Sequence, residues 1–218
     1  MRKVPKFKIC SYLSENIWSD PKCLKFNKKK WERLKRQPLG VSNQGFAKRE
    51  AHLQPNSRLY GMRLRAKQRF RKYYCNLTEK QFKTLYRNLS HKNDMPGVLE
   101  SRLDVCIYRM NFVPTLFAAR QAISHGNIYV NGLRVKVKGY LLSPGDVIEI
   151  KSKMWFRFFE ALLHRLNKNK FLIEPPAYLE VDYKALVGVC IRRTAINEIP
   201  YAIPMNFDLV KEFYRFAK

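Results

Sequence analysis

The apolar positions along this chain change period several times, and each change marks an element. Leu59, Met62, Ala66, Phe70, Tyr73 and Leu77 recur at steps of 3, 4, 4, 3 and 4, the spacing of one face of an α-helix over residues 58–77. Thr78 and Gln81 then stand three apart, ahead of Phe82, Leu85, Tyr86 and Leu89. That pairing predicts a capping box opening a second helix, because hydroxyl and amide can each satisfy a backbone group left over at a helix start. Asn93-Asp-Met-Pro-Gly97 breaks the pattern and marks a boundary. A third helix is predicted on Leu99, Leu103, Cys106, Ile107 and Met110. It stops near Asn111, a residue type able to take the left-handed cap conformation. Pro114-Thr115 opens a fourth that buries Leu116, Ala119 and Ile123, with Gly126 placed to end it.

Here the period drops to two. Asn127-Ile-Tyr-Val-Asn131 predicts a strand and Asn131-Gly132 a hairpin turn. In Arg134-Val-Lys-Val-Lys138 valines alternate with cations, so the valines are expected inward and the charges outward. Ser143-Pro-Gly-Asp146 makes a second turn before Val147-Ile-Glu-Ile150. Beyond it, Trp155, Phe158, Phe159, Leu162, Leu163 and Leu166 fit another amphipathic helix, followed by a loop at Lys168-Asn-Lys170. Tyr178–Asp182 and Leu186–Ile191 read as partner strands, while for 205–216 the period fits a helix or an extended segment. The expected fold class is α+β.

Composition adds a partner. The chain has 218 residues, 46% of them hydrophobic, enough for a substantial core. Lys and Arg number 43 against 17 Asp and Glu, a formal net charge of +26. Residues 1–98 hold 25 of those cations and 6 of the acids. Folding does not need that excess, so it points to a polyanion, with nucleic acid ahead of a merely soluble basic surface and of an anionic membrane. Residues 1–44 read as a basic arm that orders on RNA, with clusters at Lys28, Lys29, Lys30, Lys35 and Arg36. On the first helix Arg63, Lys67 and Arg71 share a face, with Arg65 and Lys72 beside them. Like charges at that spacing repel, and nothing acidic lies nearby in sequence, so RNA phosphate is the expected counter-charge.

Other chemistries recede. The five cysteines form no Cys-x-x-Cys pair, which argues against a zinc ribbon or a disulfide framework and for a reducing compartment. No metal or cofactor is expected. No uncharged apolar run approaches the roughly 18 residues that span a bilayer. The N-terminus lacks a signal-peptide core, and Glu15 and Asp20 interrupt any transit peptide. No Ser/His/Asp or paired-carboxylate arrangement stands in suggestive order, so no enzyme is expected.

Six segments together resemble a known family. SRLDVCIYRMNF (101–112), ARQAISHGNIYVNG (119–132) and LLSPGDVIEI (141–150) are similar to the S4 RNA-binding domain. RLYGMRLRAKQRFRKYYCNLTEKQF (58–82), YLEVD (178–182) and VKEFY (210–214) extend the likeness to the small-subunit ribosomal protein S4 family over nearly the whole chain. The resemblance implies a helical domain, 45–98 plus 193–218, with an S4-type module of two helices packed on a small antiparallel sheet inserted at 99–192, after the arm at 1–44. It implies direct, early binding of small-subunit rRNA that nucleates assembly of its 5′ domain. It also implies a place among other small-subunit proteins near the channel where mRNA enters, with mRNA as a further partner. No homo-oligomer is expected.

On this resemblance Arg102, Arg120 and Lys136 face RNA phosphate, with Arg134 on the same strand; Arg can bond phosphate bidentately. Gln121 and Ser124 flank that surface as neutral hydrogen-bonding groups, and Asp104 orients a neighbouring Arg. His125 either touches RNA or finishes its helix; both readings stand. The chain departs from the family pattern at Leu116, where Arg is usual, at Asn111, where Gly is common, and at the ending Arg215-Phe-Ala-Lys218. The clustered N-terminal cysteines of one bacterial branch are absent. Readout is expected by RNA shape and phosphate arrangement rather than base edges.

Two alternatives share the module. A pseudouridine synthase needs a separate catalytic domain, for which too few residues follow the module. A ribosome-associated regulatory or stress factor tends to be smaller, without counterparts of 58–82 and the C-terminal segments. The wealth of Lys, Asn, Phe and Tyr, with no presequence, predicts an organelle-encoded copy on a mitochondrial ribosome, with plastid or bacterial cytoplasm as alternatives.

Overall fold

The computed structural model describes residues 55–89, 91, 94–167, 174–201, 203 and 205–216, together with Ile9, Cys10, Leu13 and 16–18. Its helices and strands are α1 (Pro55–Tyr73), α2 (Glu79–Asn88), α3 (Met95–Glu100), α4 (Leu103–Arg109), α5 (Leu116–Ser124), β1 (Ile128–Val130), β2 (Leu133–Arg134), β3 (Val147–Ile150), α6 (Ser152–Asn167), β4 (Leu179–Asp182), β5 (Val187–Cys190) and α7 (Asp208–Phe216). The chain divides into two compact units, 1–82 with 201–218, and 83–200.

In the first unit α1 and α7 pack against each other. Ala66, Phe70 and Tyr73 of α1 and Val210 and Phe213 of α7 are buried. The Phe70 ring meets those of Phe207 and Tyr201 edge-on at 5.5 and 6.0 Å. The N-terminal end of the predicted stripe stays open, with Met62 at 53% exposure. α1 ends where Cys75 and Asn76 both take positive φ, and the Leu77 N–H reaches back to the Arg71 carbonyl at 2.9 Å. The capping box then forms as the spacing predicts: Thr78 N–H donates to Gln81 Oε1 at 3.2 Å and Gln81 N–H to Thr78 Oγ1 at 3.3 Å. The C-terminal segment, ambiguous by period, is helical. Asn206 Oδ1 accepts the Asp208 and Leu209 N–H groups, satisfying donors at the helix start.

Part of the expected arm is folded instead. Ile9, Cys10, Leu13 and Ile17 are buried, and Trp18 Nε1–H donates to the Tyr73 carbonyl at 3.1 Å. Positions 9, 13 and 17 share one helical face, a signal that the surrounding lysines mask. The Lys28–Lys30 and Lys35-Arg36 clusters and the 168–170 loop lie outside the described residues.

The second unit is built on a five-stranded antiparallel sheet of order β2-β1-β3-β5-β4. Tyr178–Asp182 and Leu186–Ile191 do pair, Leu179 opposite Cys190, and β5 joins the hairpin sheet through Val147 opposite Val189. Ile128, Val130, Ile148 and Ile150 enter one core with Leu103, Cys106, Ile107 and Met110 of the α4 segment and Ala119 and Ile123 of α5. The single helix expected over 99–110 is two. At the junction Arg102 is extended and bridges Leu141, while Leu103 N–H donates to the Tyr140 carbonyl and Leu142 N–H to the Ser101 carbonyl, each at 2.9 Å. These long-range bonds interrupt a helical period that continues through them. The expected alternation over 134–138 holds in part: Val135 packs against the core, but pairing ends at Arg134 and Val137 is 64% exposed. α6 forms, but Leu163 and Leu166 stay exposed while Leu162 is buried.

The second unit also holds a buried charge pair. Arg109 Nε and Nη2 donate to the two Glu100 oxygens at 2.9 Å each, and Nη1 donates to the Pro200 carbonyl at 3.0 Å. Tyr178 O–H donates to Glu100 Oε2 at 3.0 Å. Burial, then the Glu100 charge, push the Tyr178 phenol far above its ordinary value. The hydroxyl therefore stays a donor.

Candidate RNA-binding surface

Along α1 the expected cations divide into two kinds. Arg65 is exposed. Arg63 Nε donates to Glu212 Oε2 at 2.8 Å. Lys67 is 5% exposed, donates to Glu79 Oε1 at 2.8 Å, and lies 3.8 Å from the Phe213 ring centroid. Arg71 donates to the other Glu79 oxygen at 2.6 Å and to the Leu77 carbonyl at 3.0 Å. Lys72 donates to Asn76 Oδ1 at 2.6 Å, and burial, then the Arg71 charge, lower its pKa. The expectation that no acid compensates this face is corrected: α2 and α7 each bring one. Glu79 is 12 residues from Lys67 and Glu212 is 149 from Arg63, outside any helical window. Lys67 thus works in the core of this unit.

Burial pushes the Glu79 carboxyl up, but the Lys67 hydrogen bond, the Lys67 and Arg71 charges and the Tyr214 hydroxyl outweigh it, leaving a pKa below the ordinary value. A carboxylate more acidic folded than unfolded adds stability above its ordinary pKa and loses it as pH falls through the folded value. Wild-type and Glu79→Gln thermal melts are expected to differ near neutrality by up to about 1 kcal/mol, as for a half-exposed pair. They converge in acid; a gap that persists there contradicts the pairing.

In the second unit the surface is organised by Asp104, which is 1% exposed. Arg102 Nε and Nη2 donate to its two oxygens at 3.1 and 3.0 Å, and Arg120 Nε lies 3.8 Å from Oδ2. The expected organiser role of Asp104 is what the geometry supplies. The cost of holding it buried is offset by two guanidinium groups. Arg102 is only 7% exposed, whereas the Arg120 side chain is 27% exposed and can offer donors outward.

Gln121, Ser124 and His125 are exposed at the end of α5. Ser124 donates to the Arg120 carbonyl at 2.7 Å. His125 caps α5, and Gly126 follows at φ +67°, the left-handed position after a helix end. Arg134 closes the corner, donating to the Gly126 and His125 carbonyls at 3.1 Å each. The His125 backbone therefore finishes the helix while its ring faces solvent. A Cβ on Gly126 would come within 2.1 Å of Arg134 Nε. Gly126→Ala is therefore expected to lower stability by about 1–2 kcal/mol from the left-handed backbone alone and to displace Arg134. Unchanged melting would contradict the cap.

Asn131 and Gly132 both take positive φ, as the tight hairpin turn requires, and Asn131 is tied to Asp146 at 2.9 Å. Past the turn, Lys136 and Lys138 are exposed on one segment. Lys138 is a surface cation that the family resemblance does not point to, though the alternation contains it. Leu116, 3% exposed, packs in the core where the family pattern has an arginine. Among the described residues no group of three or more His, Cys, Asp or Glu is placed to hold a metal ion, and no helix is long and apolar enough to cross a membrane.

This arrangement, a short hairpin sheet with two helices presenting a cation-rich corner, is that of an S4 domain, whose family model matches residues 101–148. The model of the ribosomal protein S4/S9 N-terminal domain matches residues 2–103. The chain is 38% identical over 220 residues to the small ribosomal subunit protein uS4 of Rhizobium meliloti, covering 98% of each. It is 38% identical to that of Brucella anthropi and 34% to that of Maricaulis maris, again with 98% of both chains covered. It belongs to the uS4 family of small ribosomal subunit proteins.

Proposed function

We propose that this protein is a structural constituent of the small ribosomal subunit that binds small-subunit rRNA directly. The likeness to uS4 proteins over 98% of the chain carries this reading, and the +26 net charge supplies the physical reason. The role is structural, not enzymatic. In this reading the 83–200 unit presents Arg120, Gln121, Ser124, Arg134 and Lys136 to the RNA, with Arg102 behind them. The first unit presents Arg65 and the open sides of Arg63, Arg71 and Lys72, and the Lys28–Lys30 and Lys35-Arg36 clusters add phosphate contacts. Binding occurs early, nucleates the 5′ domain and leaves the protein beside other small-subunit proteins near the channel where mRNA enters.

The ribosome is placed in a mitochondrion, on the strength of residue usage rich in Lys, Asn, Phe and Tyr. The bacterial origin of the uS4 proteins above is the observation favouring a bacterial cytoplasm instead. Gradient sedimentation of lysate from cells expressing the tagged full chain tests the role. The protein is expected to travel with small subunits and to stay with them in high salt. Sedimentation as free protein contradicts the proposal. Detection in purified organelle ribosomes, or only in cytoplasmic ones, decides the compartment.

A further inference from the structure

The end of α7 carries an aromatic, basic patch that shares Arg63 with the surface described above and extends beyond it. Phe216 is 64% exposed, although Phe213 one turn earlier is buried. The Arg63 guanidinium lies 4.5 Å from the Phe216 ring centroid and that of Arg215 lies at 5.9 Å. Arg63 is anchored by its 2.8 Å bond to Glu212, so its stacking position is fixed from behind. One turn away on α1, Tyr60 is 53% exposed and packs 5.7 Å from the Phe213 ring.

Charge indicates what covers this patch. Residues 55–73 contain no Asp or Glu among seven Lys and Arg. The acids of α7 are already engaged, Glu212 with Arg63 and Asp208 with Lys211. A neutral apolar protein surface would leave these cations unmatched. A nucleotide offers both a flat π-face for the ring and a phosphate for the guanidinium groups, the pairing by which single-stranded nucleic acid is held on aromatic and Arg side chains.

We infer that Phe216, with Arg63 stacked on its ring, is a platform for an unpaired base of the small-subunit rRNA, whose adjoining phosphate meets Arg215. The inference rests on the rRNA-binding reading and adds a recognised feature to it: an unstacked nucleotide, beyond phosphate alone.

Filter binding of the full chain to in vitro transcribed small-subunit rRNA tests it, with Phe216→Ala, Phe216→Leu and Phe216→Trp side by side. Stacking on one base is worth on the order of fivefold or more in affinity. Ala and Leu are both expected to weaken binding by at least about that factor, and Trp to retain it. The slope of affinity against salt should stay unchanged, because no charge is removed. Equal affinity for wild-type and Phe216→Ala overturns the platform while leaving rRNA binding intact. Wild-type affinity retained by Leu but lost by Ala would mean an apolar packing role and overturns it too. If the wild-type chain shows no preference for the rRNA, the underlying reading fails instead. Circular dichroism melts of the three variants are expected to match wild-type, as the ring is mostly in solvent.

Discussion

Arg109→Met is expected to lower the stability of the 83–200 unit by about 3–5 kcal/mol, the cost of taking the arginine from a buried carboxylate. Glu100 and Arg109 are 0% and 1% exposed, and both guanidinium bonds to the carboxylate are 2.9 Å. Removing the arginine takes both guanidinium bonds from Glu100 and leaves the Tyr178 hydroxyl in place, so the carboxylate is driven to take up a proton or draw water into the core. The double change Arg109→Met with Glu100→Gln is expected to recover much of that loss, since a neutral amide is less costly to bury than an unpaired charge. Chemical denaturation of the three proteins checks both statements. A single variant within about 1 kcal/mol of wild-type would show that the pair is not held as the structure has it.

Arg120→Ala with Lys136→Ala is expected to weaken binding to small-subunit rRNA by about 100-fold at fixed salt, taking each lost charge-assisted contact at 1.5 kcal/mol or a little more. The log–log salt slope should become shallower by about 1.4–1.8, because two phosphate contacts no longer release counterions. Lys136 is exposed, and Arg102 still bonds both Asp104 oxygens when Arg120 is lost, so the variant should stay folded, with melting lowered only by the loss of Arg120 beside Asp104. By contrast, Arg63, Lys67 and Arg71 are a poor set for such a test. Lys67 is buried under Phe213, and all three hold acids of the same unit, so a loss of binding there would mix folding with contact.

The sequence made the local devices legible and the long-range ones obscure. The Thr78–Gln81 box, the left-handed Asn111, the Gly126 cap and the Asn131-Gly132 turn each follow from residue type at a fixed offset, because capping and turn chemistry act over a few residues. The break at Arg102 does not. Its cause is pairing with Leu141, 39 positions on, in a stretch whose apolar period runs straight through. Leu186 sits at φ 54° with nothing in its residue type to announce it. The candidate surface follows the same rule. Which side chains are cationic is plain, but which of them are bound to acids depends on where α2 and α7 dock. Arg63, Lys67 and Arg71 look alike in sequence and differ in the fold. Asp104 is the exception, because the family resemblance implies that it orients a neighbouring Arg, and Arg102 and Arg120 both lie beside it.

One titration tests whether the protein recognises small-subunit rRNA directly through phosphate and shape. The full chain is bound to its own small-subunit rRNA, and to an unrelated structured RNA of equal length, over a range from about 50 to 200 mM salt. The prediction is tighter binding to the rRNA at every salt, with log affinity falling linearly and steeply against log salt. Equal affinity for the two RNAs, or an affinity that ignores salt, would contradict it.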